Sequence, residues 1–155
     1  MMKCIATFLR AAAAALTLSL VGLPAAMAGA GVSVEDGYVR APVPGRNVSA
    51  GFFTLHNHTE ASVTLVAVQA DFAERAEIHS HTHSDGMMRM RKEESVSVEA
   101  GATLAFAPGG YHIMLFGLQE GIGVGDELDL TIVFDDGESL TVPVMVRSLS
   151  RQSHH

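Results

Sequence analysis

Between residues 32 and 146 the apolar positions fall in short runs, many alternating with polar ones and closed by turn-forming residues. Leu128-Asp129-Leu130-Thr131-Ile132 and Leu140-Thr141-Val142-Pro143-Val144 show the pattern most plainly. A period of two sends one set of side chains to a core and the other to water, as in a half-buried strand. β-Branched and aromatic residues are enriched in the same runs. The pattern predicts strands near Val32 to Arg40, Ser49 to Asn57, Ser62 to Ala70, Glu77 to His83, Met87 to Lys92, Thr103 to Phe106, His112 to Gly117, Leu128 to Phe134 and Ser139 to Val146. Only Asp71 to Arg75 admits a helical turn. An all-β sandwich follows.

Two Asp-Gly dipeptides are the strongest hairpin signals, because both residues tolerate the positive φ that tight turns require. Asp136-Gly137 joins the two alternating runs into a core hairpin, in which Pro143 should occupy an edge or a position that needs no ladder bond. Asp85-Gly86 has a different consequence. As a two-residue turn it sets Ser84 opposite Met87, His83 opposite Met88 and His81 opposite Met90.

On a strand His79, His81 and His83 share one face and Ile78 takes the other, while Met88 and Met90 lie opposite Arg89 and Arg91. The histidine and methionine faces of the hairpin then coincide. His79 reaches Met90 only diagonally, so spacing leaves His79 and His81 as rivals beside it. By the same rule His112 and Met114 point together, with Cα atoms roughly 6 to 7 Å apart, and leave Ile113 and Leu115 for the core.

Two imidazoles and two thioethers on adjoining strands make a soft donor set. Copper(I) accepts thioether sulfur, whereas zinc sites are built from thiolate, imidazole and carboxylate. The one cysteine, Cys4, precedes an apolar run from Ala11 to Val21 and follows Lys3. That arrangement, with Ala26-Met27-Ala28 behind it, reads as an export signal too short to span a bilayer, cleaved after Ala28 or after Ala30. Cys4 lacks a lipobox context, so no stable membrane anchor is expected.

Removing 28 of the 155 residues leaves a chain of single-domain size, with residues 29–147 as the domain and residues 148–155 as a short polar tail. Loss of Lys3 and Arg10 moves the formal charge from −7 to −9, which makes nucleic acid an unsuitable partner. The acidic pairs are scattered and need no explanation beyond a solvated surface.

His79, ten residues, Met90, twenty-one residues, His112, one residue and Met114 form a pattern that resembles the H-x10-M-x21-H-x-M signature of the PCuAC family of periplasmic copper chaperones. Ala76-Glu77-Ile78-His79, Met87-Met88-Arg89-Met90 and Gly109-Gly110-Tyr111-His112-Ile113-Met114-Leu115 extend the likeness, which runs from Gly37 to Val144. The resemblance implies a cupredoxin-like Greek-key β-sandwich that holds one copper(I) through His79, Met90, His112 and Met114. It implies delivery towards cytochrome c oxidase, either to subunit II or through a thiol protein of the Sco type. It also favours His79 over His81. His81 and His83 stand where many members carry methionine, and they could add a copper(II) contact.

Secondary donors are therefore His81, His83 and Met88, with His154 and His155 in the tail. Met87 and Met88 read as packing residues or an outer rim, since strand methionine usually fills a core. His56 and His58 decorate a strand end. The rival function is a periplasmic copper(II) or zinc buffer that uses histidines alone. A blue-copper electron carrier needs a cysteine thiolate, which the expected mature chain lacks. No nucleophile, base and oxyanion grouping suggests an enzyme.

Overall fold

A computed structural model describes residues 31–148. The expected signal segment with Cys4, Ala28 and Ala30 lies outside these residues, as do His154 and His155. Every regular element among the described residues is a strand: β1 Val32–Arg40, β2 Val48–Asn57, β3 Val63–Ala70, β4 Ala73–Ser84, β5 Met87–Lys92, β6 Val96–Val98, β7 Thr103–Phe106, β8 His112–Leu118, β9 Glu127–Phe134 and β10 Ser139–Arg147. No helix of the described residues is long and apolar enough to cross a membrane.

One local expectation needs correction, and one strand was not expected. Asp71 and Phe72 form a turn and β4 begins at Ala73, so no helical turn spans Asp71 to Arg75. Ala73 pairs with Leu118 and Arg75 with Phe116, and these ladder bonds take up the backbone that a helical turn would use. The three-residue strand β6 went unpredicted because it is too short to display an alternation. It pairs with β3 and buries Val96 and Val98.

The strands run in the order β5-β4-β8-β2-β1-β10-β9-β3-β6, with β7 also paired to β2. β1 and β10 are parallel, and the other pairs are antiparallel. β3 also packs against β4, so the two halves of the sheet face one core. Leu55, Ile113 and Leu115 enter it from one half, and Leu65, Leu130 and Ile132 from the other, all at 0% exposure. Each such side chain contributes about 1.5 to 3 kcal/mol by leaving water.

Both Asp-Gly turns form. Asp85 and Gly86 adopt φ of 53° and 74°, which gives the two-residue loop its mirror-image turn and fixes His81 opposite Met90. Gly137, at φ 86°, ends a three-residue loop that closes when the Phe134 N–H donates to the Glu138 carbonyl at 2.9 Å. Pro143 precedes the segment of β10 that pairs with β1, which starts at Met145, so its missing N–H costs that ladder nothing.

Candidate metal centre

Strands β5, β4 and β8 lie side by side at one margin of the sheet, and their outward faces build the site. Ile113 and Leu115 turn inward and pin β8 to the core, which forces His112 and Met114 outward. Ile78 does the same for β4, turning Glu77, His79 and His81 to the outer side. In register, His79 faces His112, Glu77 faces Met114, and His81 faces Met90. His79, His81, Met90, His112 and Met114 thus share one face of three adjacent strands.

The imidazoles are close together. The His112 ring centroid lies 4.8 Å from that of His81 and 5.9 Å from that of His79. His112 is buried, and its Nδ1–H donates to the Gly110 carbonyl at 3.1 Å. A carbonyl can only accept, so the proton sits on Nδ1 and Nε2 carries the lone pair. His79 is arranged in the opposite sense: its Nε2–H donates to the Glu77 carboxylate at 2.9 Å, which leaves the lone pair on Nδ1. His112 Nε2, His79 Nδ1 and His81 Nδ1 are buried atoms with no hydrogen-bond partner. Such atoms are costly unless something occupies them.

Burial holds His112 below the usual imidazole range, more strongly than its hydrogen bond to Gly110 raises it, and His81 and His79 push in the same direction as burial. A neutral ring is the form that binds metal. The hydrogen bond from His79 holds the Glu77 carboxyl below its ordinary range, aided by Lys92 and Arg75. Glu77 lies 3.1 Å from Arg75 and 3.6 Å from Lys92, so it remains an anion able to orient His79.

A cleft of about 140 Å³ opens on this face, lined by His81, Met90, His112 and Met114 with Phe52 and Arg40. Its floor is apolar, since the Phe52 ring lies 6.5 Å from His112 and is capped by the Arg40 guanidinium at 5.0 Å. Met90 is half-exposed at 51%, so one side of the cleft is open to solvent. Among the described residues no group of three or more His, Cys, Asp or Glu side chains is placed to hold a metal ion.

Met87 and Met88 are each 55% exposed, so they form a rim and not a packed layer. His83 faces Met88 two pairs beyond His81 and Met90, in the open. His56 accepts or donates a hydrogen bond with Thr103 Oγ1 at 2.9 Å, and His58 does so with Ser33 Oγ at 2.8 Å, which ties both to the strand end. Glu77, Arg40 and the Gly110 carbonyl were not picked out beforehand. Glu77 stands two positions before His79, so the same-face rule could have found it, and Gly110 stands two positions before His112; Arg40 meets the site only through folding. A larger hollow of about 630 Å³ lies at the far end of β8, between the loops after β1 and β8, away from these donors.

Residues 32–146 match the family model described as "Putative lipoprotein LpqE-like". The chain belongs to the LpqE-like family. This LpqE-like chain is 31% identical over 121 residues to Lxx21020 of Leifsonia xyli subsp. xyli, likewise named as a lipoprotein, covering 77% of this chain and 72% of the relative. Its fold is that of the PCuAC domains. The solution structure of CuI-DR1885 from Deinococcus radiodurans superposes with a TM-score of 0.60 at 30% identity, covering 72% of this chain and 74% of that one. The copper-bound PCuAC domain from PmoF2 superposes with a TM-score of 0.65 at 20% identity, covering 78% of this chain and 96% of that domain. The cupredoxin-like sandwich expected for this LpqE-like chain is the fold observed.

Proposed function

We propose that this protein is an exported copper(I) chaperone whose cargo is held by two imidazoles and two thioethers, His79, Met90, His112 and Met114. One observation carries the reading: His79 and His112 each commit one ring nitrogen to a hydrogen-bond acceptor and leave the other buried and unpartnered, on the face that bears Met90 and Met114. The CuI form of the 30% identical DR1885 supports the choice of metal. The lipoprotein in the family name supports export.

All four ligands are neutral, so the site holds a soft monovalent ion without adding charge. An acceptor with two thiolates donates sulfur more strongly and adds negative charge, so transfer to it is downhill. Such an acceptor is a Sco-type protein or a copper site of cytochrome c oxidase subunit II. The open side at Met90 gives incoming ligands a route of approach.

An anaerobic copper(I) titration against a chromogenic chelator tests the reading, with wild type beside the Met90→Ala/Met114→Ala double variant. One tight equivalent is expected for wild type, weakened by on the order of 100-fold, or about 2.7 kcal/mol, in the variant. Equal binding in both proteins would replace the chaperone with a histidine-based copper(II) or zinc buffer.

A further inference from the structure

We infer that His81 is an interchangeable ligand of the same copper(I) ion, taking the place of His79 while His112, Met90 and Met114 remain bound. The inference rests on the copper reading above. A set of two imidazoles and two thioethers needs two histidines, and this face offers three. His79 lies directly across from His112, and His81 directly across from Met90. Both present a buried Nδ1 without a partner, and both rings lie beside His112, at 5.9 and 4.8 Å between centroids. Neither ring is excluded by position.

The two differ in how they are held. Glu77 restrains the His79 ring through Nε2, whereas no side-chain hydrogen bond to a described residue restrains the His81 ring. The His81 backbone is anchored all the same, because its N–H donates to the Gly110 carbonyl at 3.2 Å, the same oxygen that fixes the His112 ring. His81 also forms a wall of the open cleft with Met90, His112 and Met114, and His79 does not. His79 is thus the fixed imidazole and His81 the movable one.

His81 stands two pairs nearer the hairpin tip than His79, with the exposed His83 and Met88 pair beyond it. Exchange forms one copper–nitrogen bond as another breaks, with no change of oxidation state and no proton moved between two neutral rings. It shifts the ion from its shielded position towards the open margin while three ligands stay in place. His81 is therefore the first outward step of release.

The exported protein would be titrated with copper(I) as wild type, His79→Ala, His81→Ala and the double variant, with a thermal melt of each to verify folding. Interchange predicts that each single variant loses no more than about threefold in affinity, less than about tenfold for the two taken independently, and that the double loses on the order of 100-fold, a non-additive pair. His81→Ala, and His81→Gln as the variant closer in shape, should also surrender copper to a dithiol chelator at least about threefold more slowly than wild type, by the rate–barrier relation. If His81→Ala matches wild type in affinity and rate while His79→Ala is as weak as the double, the inference is wrong. It is equally wrong if His81→Ala alone is as weak as the double, because the ligands would then not be interchangeable. Unchanged binding in Met90→Ala/Met114→Ala would instead overturn the copper reading beneath it.

Discussion

The molecule contains two hairpins closed by the same Asp-Gly dipeptide, and they have opposite fates. In β9 and β10 the alternating residues Leu130, Ile132, Leu140, Val142 and Val144 are buried. In β5 all six residues are exposed, and in β4 only Ile78 and Ser80 are buried. The turn signal decides that a hairpin forms and in which register; the side chains that follow it decide whether the sheet can cover it. A hairpin left uncovered keeps its side chains free for a ligand, and this one carries His81 and Met90.

Ile132→Ala tests the contrast most severely. It should cost about 2 to 5 kcal/mol in denaturant unfolding, by lost burial and the cavity left behind. Met90→Ala should change stability by less than about 0.5 kcal/mol, as surface changes do, while weakening copper(I) binding. Comparable destabilisation by the two would erase the distinction.

Gly137→Ala and Gly86→Ala sharpen it at the turns themselves. Each forces a side chain into positive φ at a cost of about 1 to 2 kcal/mol. The first should appear as a lowered global melting temperature. The second should appear chiefly as faster hydrogen exchange at β5 amides, since that hairpin can open without the core. A global loss from Gly86→Ala would show that the two hairpins are one cooperative unit.

The smallest effect concerns acid. Because His112 titrates below the usual imidazole range when folded, the unfolded chain takes up its proton first. Stability should therefore decline as pH falls below about 6.5 and continue to do so until the folded ring is protonated as well. The slope of unfolding free energy against pH over this range should flatten in His112→Gln, whereas a replacement in β9 should leave it unchanged.

The strands, both turns and the alignment of His81 with Met90 were legible because they depend on neighbours along the chain. β6 was not, since a three-residue strand has no period and exists only because Val96 and Val98 find β3. The site was legible as a set of residue types, and its wiring was not. That Glu77 holds His79 follows the same-face rule, but that the Gly110 carbonyl, two residues from the His112 ring it holds, also accepts from the His81 backbone depends on a loop reaching across from another strand. The preference for His79 came from family resemblance, and the geometry leaves His81 equally well placed.

β5 is one of the two terminal strands of the sheet, paired on one side only. A free strand edge invites a second molecule to zip onto it, and a protein that keeps such an edge exposed risks polymerising. Here the edge carries Arg89, Arg91 and Lys92 within six residues. In a chain whose net charge is negative, that cluster makes two copies of this edge repel while an acidic surface is attracted. The strand can stay uncovered without becoming a seed for aggregation.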